Sequence, residues 1–115
     1  MTKSFKTITQ EISKSLLLFR KEVIEPMQGF DTMAKSAMSE GVLSALQKEL
    51  IATAIAVSTR CDGCIGFHVR ALVRLKVTRE QLNEMLAVAV YMGGGPSLMY
   101  AAEVLQAYDE FLAGS

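Results

Sequence analysis

Ser44-Ala45-Leu46-Gln47-Lys48-Glu49-Leu50-Ile51-Ala52-Thr53-Ala54-Ile55-Ala56-Val57, followed after Ser58-Thr59-Arg60 by Cys61-Asp62-Gly63-Cys64-Ile65-Gly66-Phe67-His68, decides how this chain folds. Ser44 with Gln47 three positions on has the form of a capping box at a helix start. Leu46, Leu50, Ala54 and Val57 then recur at gaps of three and four, while Ala52, Ile55 and Ala56 fill other faces. The spacing predicts a largely buried helix, with Glu49 as the charge inside it. The second part gathers both cysteines and the only histidine of the protein within eight residues. Helical patterns flank it on both sides, which places it at the start of the next helix, where free backbone N–H groups and the helix dipole favour a thiolate.

The same periodicity extends outward. Phe5, Ile8, Ile12, Leu16, Phe19 and Val23 form a one-sided stripe, expected to be a first helix ending near Pro26. A weaker helical stretch covers Met27 to Met38 and stops in the Gly41 region. Beyond Cys61 a fourth helix continues through Phe67, Ala71, Leu72 and Leu75. Thr78-Arg79-Glu80-Gln81 is a second capping box, opening a fifth helix through Leu82, Met85, Leu86 and Ala89. Gly93-Gly94-Gly95-Pro96 ends it, and proline is favoured in a first turn, so the last helix is expected from Pro96 with Leu98, Ala101, Leu105, Tyr108 and Leu112 on one face. No stretch of strict alternation, internal repeat or linker interrupts this pattern. The expectation is an all-α fold of about six helices, one domain over residues 1–115.

Composition narrows the function. The chain has 115 residues, of which 50% are hydrophobic, and its mean hydropathy is +0.27. So much apolar surface on so short a chain points to burial between copies, a homo-oligomer. Twelve basic residues balance twelve acidic ones, which removes the electrostatic footprint of a nucleic-acid binder. Leu16-Leu17-Leu18-Phe19 is the longest apolar run near the N-terminus and has charges on both sides, so neither a signal peptide nor a membrane helix is expected and the cytoplasm is the expected location. In a reducing compartment, two cysteines three apart are catalytic or metal-binding more often than a staple. The glycine break has no preceding strand and no following Lys-Ser or Lys-Thr, so it reads as a helix stop rather than a phosphate loop.

On a helix, Cys64 and His68 differ by about 40° in azimuth and share a face, and Cys61 comes within about 20° of His68 two turns away. A neutral imidazole can take the thiol proton, and the thiolate is the nucleophile of disulfide exchange and peroxide reduction. The partner cysteine then closes the disulfide. Two other readings stand beside this one. Cys61 and Cys64 are two buried thiols of the core, or they join His68 as zinc ligands with Glu49 or a neighbouring subunit as the fourth, although no second ligand pair lies in a distant segment. Glu49 is either a solvated charge or a partly desolvated carboxylate.

Glu49, Cys61 twelve positions later, Cys64 and His68, together with the buried helix from Leu43 to Val57 and the Met92-Gly93-Gly94-Gly95-Pro96 break, resemble the alkylhydroperoxidase D-like proteins, which are grouped with the carboxymuconolactone decarboxylases. The resemblance spans roughly residues 42–111. It implies an alkylhydroperoxidase D-like helical bundle assembled into homotrimers or homohexamers. It also implies a thiol-dependent reduction of hydroperoxides or disulfides, with electrons resupplied by an external thiol donor and neither a bound cofactor nor a metal. By the same resemblance Cys64 takes the attacking role, Cys61 the resolving role, and Glu49 with His68 a proton relay. The peroxidase members carry a further histidine between the cysteines and two tandem copies of the module; this chain has Asp62-Gly63 and one copy. The competing class is a non-enzymatic helical oligomer whose Cys/His cluster binds metal or senses redox state.

Overall fold

Both capping boxes form. Ser44 Oγ accepts the Gln47 N–H at 3.0 Å and Gln47 Oε1 accepts the Ser44 N–H at 2.8 Å; Thr78 and Gln81 repeat the exchange at 3.1 and 2.9 Å. They open α3 (Ala45–Thr59) and α5 (Arg79–Gly93) in a computed structural model that describes residues 2–114. The other helices are α1 (Phe5–Glu22), α2 (Ile24–Met38), α4 (Asp62–Arg74) and α6 (Gly95–Gly114), and the described residues contain no strand. The architecture is all-α, as the periodicity requires.

Helix α4 lies at the centre, packed against α1, α3 and α6. Ile65, Val69 and Leu72 on α4 are fully buried, as are Phe5, Val57 and Val104 from its neighbours and Leu82 of α5. Two glycines let α1 come close: a Cβ on Gly63 would stand 2.7 Å from Ile12 Cδ1, and one on Gly66 2.6 Å from Thr9 Cγ2. The start of α1 is tied down from the other side. Glu110 on α6 accepts hydrogen bonds from Ser4 Oγ, the Phe5 N–H and the Lys6 N–H. Burial pushes the Glu110 carboxyl up, yet these bonds outweigh it and hold the group below its ordinary value. The sign follows from linkage: the stabilisation is complete above the ordinary glutamate range and is lost as pH falls through the depressed value.

The two reversals on either side of α4 use no glycine. Arg60 and Lys76 sit in the left-handed region at φ +56° and +62°. At the first, Arg60 N bonds to Val57 O and Cys61 N to Ala56 O; at the second, Lys76 N bonds to Val73 O and Val77 N to Leu72 O. Each is a Schellman pair that satisfies the last carbonyls of a helix. Gly94, by contrast, has φ +72° and ψ −152°, a conformation open essentially to glycine alone, and joins α5 to α6.

Four expectations need correction. The first helix ends at Glu22, not near Pro26, with Val23 as its cap. Pro26 instead occupies the first turn of α2, where its missing N–H would have had no partner in any case. The last helix starts at Gly95, one residue early, and its buried face is Ser97, Ala101, Val104, Ala107, Tyr108 and Phe111, leaving Leu98 and Leu112 half-exposed. Helix α3 is covered on one side only: Ile51 and Ile55 remain 49% and 57% exposed. Helical period alone does not say which apolar stripe faces the core, and part of the apolar surface of α3 and α6 faces outward.

The close approach at Gly66 supplies a test. Gly66→Ala should destabilise the protein by about 1–3 kcal/mol, because the buried Thr9 methyl has no room to retreat and overpacking outweighs the gain in helix propensity. Gly29→Ala, on exposed α2 with nothing within 4 Å, should instead be neutral or stabilising by up to about 1 kcal/mol. Urea unfolding of the two variants against the parent protein checks both signs.

Candidate functional site

The turn at Arg60 places Cys61 at the N-cap of α4, where its Sγ accepts the Cys64 N–H at 3.2 Å. Cys61 and Cys64 are joined by a disulfide, with their Cα atoms 5.2 Å apart. The sulfurs thus sit at the positive end of the α4 dipole, among backbone N–H groups that have no helical partner. Either sulfur, once reduced, is in a setting that favours the thiolate.

His68 follows one turn after Cys64 and meets α3. Its Nδ1 lies 2.8 Å from Glu49 Oε1 and 3.4 Å from Glu49 Oε2. A carboxylate accepts, so Nδ1 donates its proton to Glu49, and Nε2 is the ring nitrogen that Glu49 does not engage. The Glu49 side chain is 11% exposed and that of His68 33%. The carboxylate is therefore embedded while the imidazole reaches solvent, the arrangement expected of an orienting group and the base it orients. Of the two readings of Glu49, the desolvated one matches its burial.

Cys64 and His68 open onto a cleft of about 240 Å³ walled by Ala52, Ile55, Ala56 and Thr59 of α3. These wall residues escaped the sequence reading. Their signal was present, since positions 49, 52, 56 and 59 fall on one helical stripe with Glu49 and the two alanines leave space beside it. Among the described residues, no three or more His, Cys, Asp and Glu side chains are arranged to hold a metal ion. Arg60 is exposed and serves the turn.

The sequence also gave no sign of Lys3. Its Nζ reaches Asp62, between the two cysteines, at 2.9 Å and Glu103 of α6 at 2.6 Å. The Glu103 bond first, and then the one to Asp62, hold the Lys3 ammonium well above its ordinary value. Asp62 Oδ1 is buried without a hydrogen-bond partner among the described residues. A carboxylate next to two sulfurs opposes a thiolate, and Lys3 offsets that charge. Gly63 accounts for the other residue of the intervening pair, because any side chain there meets Ile12.

This helical arrangement recurs in known proteins. The sequence profile of the carboxymuconolactone decarboxylase family matches residues 25–107, and the chain belongs to that family. The crystal structure of an apo carboxymuconolactone decarboxylase family protein from Legionella pneumophila superposes with a TM-score of 0.92 at 56% identity, covering 93% of this chain and 96% of that one. An uncharacterized protein of Cupriavidus necator is 41% identical over 109 residues, 95% of this chain and 96% of its own length. One from Haemophilus influenzae is 31% identical over the same share of each.

The ion pair at Asp62 can be tested through the disulfide. Lys3→Met should make the reduction potential of the Cys61–Cys64 pair more negative by on the order of 10 mV, because a partly exposed pair contributes a fraction of a kcal/mol. Asp62→Asn should move it the other way. Equilibration against glutathione buffers reads both shifts, and equal potentials in all three proteins would show the pair to be electrostatically idle.

Proposed function

We propose that this protein is a thiol-dependent oxidoreductase that reduces hydroperoxides or disulfides through Cys64 and Cys61, with Glu49 and His68 as its proton relay. The observation that carries this reading is the cleft in which Cys64 shares a wall with an imidazole already oriented by a buried carboxylate. Cys64 attacks because it, and not Cys61, lines that cleft. With a hydroperoxide, the Cys64 thiolate takes the terminal oxygen, the O–O bond breaks, and the departing alkoxide collects a proton from the relay to leave as an alcohol. Cys64 is then a sulfenic acid. The Cys61 thiol attacks its sulfur, the disulfide forms and water departs.

An external dithiol restores the reduced pair by supplying two electrons and two protons. Its thiolate attacks Cys64 and expels Cys61, whose sulfur is a good leaving group because the Cys64 N–H hydrogen bond stabilises it as a thiolate. A disulfide substrate runs the same exchange in the opposite sense. The apolar walls Ala52, Ile55 and Ala56 favour an uncharged organic group beside the sulfur. A reducing compartment such as the cytoplasm would keep the donor supplied.

Rapid mixing with one equivalent of hydroperoxide tests the roles. Cys64→Ser should lose peroxide consumption altogether, whereas Cys61→Ser should consume one equivalent and stop at a sulfenic acid. Glu49→Gln should keep the fold, lose activity by about 10²-fold or more, and shift the pH profile of Cys64 alkylation upward. Equal first-turnover losses in the two serine variants would overturn the assignment, and metal retention with no peroxide turnover would favour the non-enzymatic alternative.

Assembly belongs to the same reading. Ile51 and Ile55 on α3, Val88, Tyr91 and Met92 on α5, and Phe30 and Met33 on α2 are all more than 45% exposed, and α2 buries no residue at all. Such apolar surface favours a closed ring of identical copies, a homotrimer or homohexamer. Light scattering at low micromolar concentration should report three or six subunits; an active monomer under those conditions would sink the idea.

A further inference from the structure

A second cavity, of about 320 Å³, lies where α1, α4 and α6 meet, and its walls carry Lys6, Arg70 and Arg74. Among the described residues no carboxylate lines it. On α4 the azimuth of Arg70 differs from that of His68 by about 160°, so this cavity is separated from the thiol cleft by the body of the helix. The apolar part of its wall comes from Val73 and the buried Phe111, and Gln10 adds an amide.

The fold uses these three cations unequally. Glu110, the acid that adjoins Lys6, is committed to Ser4 Oγ and to the Phe5 and Lys6 N–H groups at the start of α1. Arg74 lies in the last turn of α4, where a cation complements the carbonyl end of the helix. That role does not extend to Arg70, a full turn earlier. Its guanidinium packs over the Phe67 ring, 5.1 Å from the centroid, and its Nε is buried with no hydrogen-bond partner among the described residues. Burial, and then the like charge of Arg74, hold the Arg70 guanidinium below its ordinary value. Arg70 and Arg74 repel each other across a wall to which Lys6 adds a third cation and, among the described residues, no carboxylate contributes, and a polyvalent anion would relieve that repulsion.

From these observations we infer that the cavity walled by Lys6, Arg70 and Arg74 is a binding site for the phosphoryl group of a small phosphorylated organic molecule. A phosphate monoester presents three acceptor oxygens and a charge near −2, matched to forked and point donors together. The cavity is larger than the anion alone. Its organic part would lie against Phe111 and Val73, away from Cys64. Because the walls come from three helices, a bound phosphate cross-links α1 to α4 and α6 and stabilises the folded state by mass action.

Thermal melting and isothermal titration of the intact protein test the site, with phenyl phosphate, inorganic phosphate and benzoate as probes and chloride at matched ionic strength as the reference. Phenyl phosphate should raise the melting temperature and release binding heat, inorganic phosphate should do so more weakly, and benzoate should do neither. Arg70→Gln should weaken phenyl phosphate binding by about tenfold or more, the loss expected of one charged hydrogen bond. Arg74→Gln, at an exposed position that cannot disturb the core, should weaken it comparably. Formation of the Cys61–Cys64 disulfide should be unchanged in both variants, which separates this site from the thiol chemistry. No response to phenyl phosphate beyond chloride, a response that survives both substitutions, or equal binding of benzoate would each overturn the assignment.

Discussion

The reversal between Thr59 and Asp62 is the constraint on which the rest depends. Arg60 takes a left-handed conformation there without being glycine, at a steric cost of about 1–2 kcal/mol that the two Schellman hydrogen bonds help to offset. Because the turn is this tight, α4 runs back against α3 in one register. A shift of one residue would rotate every α4 side chain by about 100°, and His68 would no longer meet Glu49. The same turn makes Cys61 an N-cap. One backbone feature therefore sets both the sulfur environment and the imidazole partner.

The chemistry that results is divided between helices according to what each can supply. The N-terminus of α4 offers unpaired N–H groups to the sulfurs, and α3 offers a carboxylate shielded from water by its own helix and by the α4 face it covers. From the other side, α1 presses on Gly63 and Gly66 and fixes α4 in place, with Glu110 and Lys3 anchoring its beginning to α6 and to Asp62. The cysteine pair is thus set between α1 and α3, while the cleft stays open beside Cys64. That combination of rigid placement and access is what exchange with an external thiol demands.

Much of the chain's apolar content lies on its outside, the surplus to which the composition points. Helix α2 has no buried residue, and α3 and α5 expose isoleucine, valine and tyrosine. Ile55 is exposed and also walls the cleft beside Cys64, so a neighbouring copy covering it would sit at the entrance to that cleft.

The sequence by itself determined the elements and the chemical inventory. Capping boxes at Ser44 and Thr78 and the 3.6-residue spacing are local physics, legible without a fold, and Cys64 and His68 share a face by helical geometry alone. The Glu49–His68 bond, the cleft between α3 and α4, the Lys3–Asp62 pair and the basic cavity were decided only by tertiary structure, because each joins residues from different helices whose azimuths and register depend on packing. The same reason explains the errors. Periodicity fixes which residues of α3 and α6 share a stripe but not which stripe faces the core, and that choice fell to close contacts such as those at Gly63 and Gly66, where the absence of a side chain let one helix settle against another.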